Sequence, residues 1–328
     1  MRNSDRGVPF FDSATCNPQS DVVIPGHGGR SAVEFILEIS RKDKNSMDRQ
    51  LQRLRQSSEK MPTYREVLGL AEKILVEKHR RKTEGSFPPM TFDPTQAKIQ
   101  MEEGFPHMRP SEVPLDVGQT REYFSALLRI LGEQSPDKQA TLKKTSAAHG
   151  FVFDESLKRL LENQLTENHF GGDWGKEGGL LFFFLVQSLK PTFEFHAENW
   201  RRQQKEISFP HGFCPFCGAL PAMGEIRAEG RRVLHCPLCG LEWDYPRVKC
   251  PYCQNEDQEK LTYFQVEGEV GCRVDICLHC RHYLKTIDSR EREGPLDWEV
   301  EDYLTLHLDH WAQEEGYTRP PKIFVEIR

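Results

Sequence analysis

Long apolar runs are missing from this chain. The longest, Leu180 to Val186, is seven residues, against the roughly 20 that a spanning helix needs, so no membrane span is expected. The opening Met1-Arg2-Asn3-Ser4-Asp5-Arg6 is not followed by an apolar stretch. No secretory signal is therefore expected, and a cytoplasmic location is the default. An excess of basic charge is missing too. Lys and Arg number 44 against 50 Asp and Glu, a net charge of −6, which argues against a broad nucleic-acid-binding surface. Nucleotide signatures are absent. Gly171-Gly172-Asp173-Trp174-Gly175 lacks the Gly-Lys-Ser/Thr ending of a phosphate loop and does not match a dinucleotide fingerprint placed after a strand. No fixed repeat period marks a solenoid.

Cysteine is scarce outside one block. Nine of the ten lie between Cys214 and Cys280, and the tenth, Cys16, reads as an exposed bystander. Eight of the nine form four Cys-x-x-Cys pairs: Cys214/Cys217, Cys236/Cys239, Cys250/Cys253 and Cys277/Cys280. A single such pair is ambiguous, because redox motifs share it. Four in one short block point to structural metal, since two turns of this kind complete a tetrahedron of thiolates around one ion. Two ions, iron or zinc, are expected. The spacing leaves open whether the pairs join consecutively or interleave. Both sites look coordinatively closed, so metal-assisted hydrolysis is not expected.

The first two pairs read Cys214-Pro-Phe-Cys217-Gly218 and Cys236-Pro-Leu-Cys239-Gly240. Glycine after the second cysteine takes positive φ freely, and proline fixes φ inside the turn. Cys253-Gln254 and Cys280-Arg281 lack that glycine, so the second site is expected to be less regular. Arg281, His279 or His282 are candidates to offset its charge. Cys272 is a spare thiol, expected to be buried rather than coordinating. Hairpins are expected over residues 222–235, turning at Glu229-Gly230, and over residues 261–276, turning at Glu267-Gly268-Glu269. Such small β units bury too little apolar surface to fold alone, so the ion supplies part of their folding free energy.

The fold class expected is multidomain α+β. An α-helical N-terminal domain is followed by two metal modules and a C-terminal helix. The boundaries are a flexible leader at 1–30, a helical domain at 31–205, metal modules at 206–247 and 248–290, and a helix with tail at 291–328. Apolar residues at helical offsets mark the body, including Tyr64 to Leu75, Asp116 to Leu131, Asp154 to Leu165 and Gly178 to Arg202. Pro191 is expected to kink or split the last of these. The basic cluster Lys78 to Lys82 reads as a solvated helix end, with a grip on an acidic partner as the alternative. Gly104 to Pro114 is a groove-lining loop or a connection. A final helix is expected over Trp298–Glu315, with Gly316 at its C-terminus, and Ile323 to Ile327 has strand character.

From Cys214 onward the motifs carry a resemblance. Cys214-Pro215-x-Cys217-Gly218-x-x-Pro221, Arg232-x-Leu234-x-Cys236-x-x-Cys239, Trp243, Arg247, the later cysteine pairs and Tyr283-x-Lys285 look like the formate dehydrogenase accessory protein family, FdhE. Asp302-Tyr303-Leu304-Thr305-Leu306-His307-Leu308-Asp309 and Glu315-Gly316-Tyr317-x-Arg319 resemble its closing helix. The match covers about a third of the chain. It implies rubredoxin-like or zinc-ribbon-like modules that bind iron through the cysteine pairs. It also implies a cytoplasmic maturation role, a chaperone that contacts the catalytic subunit of formate dehydrogenase; no catalysis is expected, because both metal sites look closed.

Two alternatives carry different sequence features. Cys-Pro-x-Cys-Gly knuckles can hold a single redox-active iron, as an electron carrier would. Arg227, Arg231, Arg232, Arg247 and Lys249, with Tyr245 and Tyr252, can in principle contact phosphates and bases, as in a nucleic-acid-binding zinc ribbon. Asp302 and Asp309 share a helix face, as paired carboxylates or a solvated surface. His235 reads as a neighbour of the metal ligands or a surface residue, and Trp243 as packing beneath the knuckles. Arg247 reads either as a donor to knuckle carbonyls or as a partner contact.

Overall fold

The computed structural model describes residues 32–204, 207, 209–266, 269–292 and 294–325. The expected leader with Cys16 lies outside the described residues, as do Glu267, Gly268, Glu326 and Ile327. The chain divides into two units at Asp48/Arg49. The described part of the first is the opening of α1 (Ala32–Lys60), and all further elements belong to the second.

The helical body follows from its apolar stripes. α2 (Arg65–Glu84) buries Leu68, Ala71, Ile74 and Leu75, at offsets of three and four that make one face. α3 (Pro94–Glu102) starts where the Asp93 side chain accepts from Thr95 N and Gln96 N and Pro94 takes the first turn. α4 (Val117–Gln134) is capped in the same way by Asp116, and α5 (Pro136–Ala148) restarts at Pro136. α6 (Phe153–Leu161) stops four residues before the expected end, leaving buried Leu165 in the loop beyond. At the centre lies α7 (Gly175–Gln203), which packs on α2, α4 and α5. It is one helix through Pro191, neither ended nor split there. Pro191 is itself buried, and packing of the surrounding apolar face outweighs its one missing hydrogen bond.

The cysteine block forms one mixed sheet. The first module contributes β1 (Met223–Ile226), β2 (Arg232–His235) and β3 (Glu242–Asp244). The second contributes β4 (Leu261–Phe264), β5 (Cys272–Cys277) and β6 (Tyr283–Asp288). Each module is a knuckle, a hairpin, a second knuckle and a third strand. The two meanders join by β1 lying parallel to β6, giving the order β3-β2-β1-β6-β5-β4. Gly224 is required at that seam, because a Cβ there would stand 2.7 Å from Thr286 Oγ1. Buried Arg232 of β2 reinforces it, donating to Lys249 O at 3.0 Å and to Asp275 Oδ2 of β5 at 3.2 Å.

Apolar packing is partitioned unequally between the modules. The core of the helical body continues through Trp200 and Phe209 into Cys214, Phe216, Leu238 and Trp243 of the first module. A separate cluster joins Val274, Ile276 and Tyr283 of the second module to Leu308 and Ala312 near the C-terminus.

The final helix expected over Trp298–Glu315 is two helices, α8 (Trp298–Leu304) and α9 (Leu306–Glu314), broken at Thr305. The cause is the buried Lys285 ammonium, which draws the Asp302 carbonyl at 2.7 Å and the Thr305 carbonyl at 3.3 Å. Gly316 stands just past α9 with φ of 78°, as expected of a helix-ending glycine.

Candidate metal centres

All four knuckles share one backbone pattern. The first cysteine's N–H donates to the carbonyl five residues on, and the N–H of the residue after the second cysteine returns to the first cysteine's carbonyl. The pairs are Cys214 N to Ala219 O and Gly218 N to Cys214 O, Cys236 N to Leu241 O and Gly240 N to Cys236 O. The second module repeats them, with Cys250 N to Asn255 O, Gln254 N to Cys250 O, Cys277 N to His282 O and Arg281 N to Cys277 O. The expected irregularity of the second site is therefore not found. Gln254 and Arg281 adopt φ of 62° and 61°, where the first module has glycines at 71°. Left-handed backbone costs a non-glycine residue roughly 1–2 kcal/mol, so tertiary contacts must hold these turns.

The pairs join consecutively. Cys214, Cys217, Cys236 and Cys239 make one cluster, and Cys250, Cys253, Cys277 and Cys280 the other, each with its sulfurs within 4.8 Å of one another. In the first, Cys214 and Cys239 Sγ are 3.5 Å apart, Cys217 and Cys236 3.6 Å, and Cys217 and Cys239 3.8 Å. In the second, Cys250 and Cys280 are 3.7 Å apart and Cys253 and Cys277 3.6 Å. A tetrahedron with metal–sulfur bonds of 2.3 Å has edges of about 3.8 Å, so each cluster fits one ion. Zinc there would be redox-silent, whereas iron would carry one electron.

The electrostatics of the bare sulfurs fit the same conclusion. Burial pushes the Cys214, Cys217 and Cys239 thiols up. Burial pushes on Cys236 as well, but hydrogen bonds from Cys214, Cys217 and Cys239 outweigh it and hold that thiol well down. Protons thus end up shared among four close sulfurs that cannot all ionise together. A divalent cation relieves that repulsion. In the second cluster the Cys280 contact and then burial push Cys250 up, and burial pushes Cys253 to about 11. The first cluster is fully buried, while Cys253 and Cys280 are half-buried.

Both clusters are held from outside the sheet. His107 N donates to Pro215 O at 2.7 Å and Met108 N to Phe216 O at 2.9 Å, so the Gly104–Pro114 loop is pinned along the first knuckle. The expected tail strand docks there as well, with Leu220 N to Ile323 O at 2.7 Å and Val325 N to Gly218 O at 2.9 Å. Thr318, upstream in the same segment, bridges His282 beside the second cluster. Trp243 is buried as expected, donating from Nε1 to His211 O at 2.9 Å.

Several flanking residues depart from expectation. The Arg281 side chain points away from the sulfurs, to the carbonyls of Glu315 and Gly316, and lies over the Tyr317 ring. His282 is engaged with Thr318 O, and His279 is exposed. His235 is buried and stacked 3.6 Å from Trp298, and burial pulls its imidazole down in pKa. Cys272 is buried outside both clusters, takes a hydrogen bond from Arg292, and is pushed up by burial. Arg247 makes no side-chain bond to a knuckle carbonyl among the described residues.

The candidate phosphate contacts are mostly spent. Arg227 pairs with Glu225 and Glu242, Arg231 with Asp244, Lys249 with Glu256, and Arg232 is buried. Tyr245 and Tyr252 donate their hydroxyls to Cys250 O and Pro221 O.

Asp302 and Asp309 do not form a solvated face. Lys285, 1 % exposed, pairs with Asp302 at 2.8 Å and Asp309 at 2.6 Å, and Arg319 joins them at 2.7 and 2.8 Å. Burial opposes the Asp302 charge, but Arg319 and Lys285 outweigh it and hold the carboxyl well below its ordinary value. Lys78 is not a solvated helix end either. It is largely buried between Glu194 and Glu299, and Lys190 meets the same Glu299 at 2.5 Å. Sequence spacing gives no sign of the second of these ion clusters, whose ion pairs link residues more than a hundred positions apart.

These features define a class: a helical body fused to a duplicated four-cysteine β module, with the closing helices locked on by buried ion pairs. Two family models match the cysteine region, "FdhE, central domain" over residues 213–247 and "FdhE, C-terminal domain" over residues 248–323. A protein FdhE homolog of Aquifex aeolicus is 27% identical over 286 residues, covering 84% of this chain and 93% of that protein. One from Edwardsiella ictaluri is 34% identical over 188 residues, 55% of this chain and 60% of that one. The crystal structure of the FdhE protein from Pseudomonas aeruginosa aligns with a TM-score of 0.60 over 85% of this chain and 95% of that chain, at 24% identity, and so shares the fold. The two family models and these relatives support the FdhE family for this chain, with the model matches confined to residues 213–323. Among the described residues no helix is long and apolar enough to cross a membrane.

Proposed function

We propose that this protein is an accessory factor for formate dehydrogenase, acting in the cytoplasm by binding the enzyme's catalytic subunit during maturation. The observation that carries this reading is the pair of family matches spanning both four-cysteine clusters. The proposed ligands are Cys214, Cys217, Cys236 and Cys239 for one ion, and Cys250, Cys253, Cys277 and Cys280 for the other. In this reading the ions are structural. They hold the knuckles rigid, and the work is binding rather than catalysis. Four sulfurs per cluster leave no open position for a substrate or water, which supports that assignment. The proposed domains are the helical body at 31–205, the modules at 206–247 and 248–290, and the closing segment from 291.

The test is affinity capture of the formate dehydrogenase catalytic subunit by the metal-loaded chain, with dehydrogenase activity measured in a strain lacking the gene. Capture and a loss of activity restored by the gene are expected. No capture together with normal activity in the deletion strain overturns the reading.

An electron-transfer role is favoured by one observation, the half-buried Cys253 and Cys280, which bring the second cluster near the surface. A colour that bleaches with dithionite supports it. A colourless chain holding two zinc ions removes it.

A further inference from the structure

A groove of about 1300 Å³ is walled on one side by the C-terminal half of α7 and on the other by β3 and the residues after it. β3 is the outermost strand on its side of the sheet and pairs only with β2. Leu241 O accepts from Cys236 N at 2.9 Å, and Tyr245 N donates to Arg232 O at 3.0 Å. Bonded and non-bonded positions alternate along an antiparallel pair. Leu241, Trp243 and Tyr245 therefore turn their backbone groups to β2, and Glu242 and Asp244 turn theirs outward. Among the described residues, neither the N–H nor the C=O of Glu242 or Asp244 is hydrogen-bonded. Both residues line the groove. An open strand edge is a template for one more strand, and here it stands inside a groove rather than on a bare flank.

The charges say what kind of strand. On α7, Glu194 and Glu198 are matched by Lys78 and Lys82. About two turns beyond Glu194, Arg201 and Arg202 are exposed. Arg202 has its nearest carboxylate, Glu198, at 4.0 Å, and Arg201 donates to the Gln204 carbonyl at 2.9 Å. Past β3, the exposed Arg247 guanidinium has no hydrogen-bond or ion-pair partner among the described residues. Among the described residues, Arg201 and Arg247 have no carboxylate partner and Arg202 has only the 4.0 Å contact, in a groove whose acidic residues, Asp297 apart, already have cations.

We propose that the groove takes one extended, acidic segment of a client polypeptide as a seventh strand against β3. Its backbone pairs with Glu242 and Asp244, and its carboxylates meet Arg201, Arg202 and Arg247. The inference rests on the accessory reading for the identity of the client, and supplies the mode by which it is gripped.

The test uses the full, metal-loaded chain and a fluorescein-labelled nine-residue peptide of six alternating valines and threonines followed by three glutamates. One control ends in three lysines, and another is N-methylated at alternate residues. Fluorescence anisotropy should show the glutamate peptide binding and both controls at least about tenfold weaker, each from the loss of contacts worth about a factor of ten. Asp244→Pro removes one outward N–H without touching a bond to β2 and should weaken binding about tenfold. The exposed pair Arg201→Glu/Arg202→Glu, which disturbs no buried group, should do at least as much. Metal content and far-UV circular dichroism confirm that each variant is folded. No binding to the wild-type chain, or equal affinity for the N-methylated peptide, overturns the inference, as does equal affinity of the charge-reversed pair. Capture of the catalytic subunit tests the accessory reading separately. Capture without peptide binding sinks the groove assignment alone, and peptide binding without capture sinks the client's identity alone.

Discussion

Lys285 is an ammonium ion removed from water. It is tolerated because Asp302 and Asp309 neutralise it and, with two backbone carbonyls, share its three N–H groups. Removing one member of such a set leaves the others buried and uncompensated, which costs about 3–5 kcal/mol. Lys285→Met is therefore expected to lower unfolding free energy by about 3 kcal/mol, read from the urea midpoint at unchanged slope. It should do so without changing metal content, since no cage sulfur is a partner of Lys285. At this scale the sequence was informative where the chemistry is local. The Cys-x-x-Cys turns, the Asp93 and Asp116 caps and Gly316 each act within a few residues of themselves. Asp302 and Asp309 were readable as sharing a helix face, but nothing in their spacing says that the face meets a lysine from a strand.

Elements are joined by similar means. Glu299 at the start of α8 sits between Lys78 of α2 and Lys190 of α7, so one carboxylate ties the closing helices to the body. Burial pushes against its charge, but Lys190 and Lys78 prevail and depress its pKa. A carboxyl lowered in the folded state stabilises the fold above its unfolded value, ordinarily about 4.3. That contribution is lost as pH falls through the folded value. The melting-temperature gap between wild type and Glu299→Gln should therefore be full at pH 7 and close progressively below about pH 4.5. A gap independent of pH would show that packing, not charge, makes the link. The hairpins were legible as elements from alternation and turn residues. The β1–β6 pairing was not, because a parallel contact between strands some sixty residues apart leaves no local pattern.

Across the whole molecule the two cages are unequal. The first shares its apolar core with the helical body, and the second packs on α9 with two sulfurs half-buried. A chelator or thiol reagent should therefore strip the second ion first, seen as two kinetic phases in metal release. Loss of the second ion should leave the helical signal at 222 nm nearly intact. Loss of the first should reduce it, because Phe216, Leu238 and Trp243 belong to the body's core. Cys253→Ser should remove the early phase alone. Apolar spacing and turn residues announced a helical body and a β region, but the unequal sharing of the core between the modules became visible only in three dimensions.

The segment from Thr318 to Val325 bridges His282, passes the body at Glu167, and ends hydrogen-bonded to Gly218. On the ribosome, every knuckle emerges before this belt is made. Until it is made, the first knuckle lacks its bonds to Ile323 and Val325 and the second module lacks its bridge to Thr318.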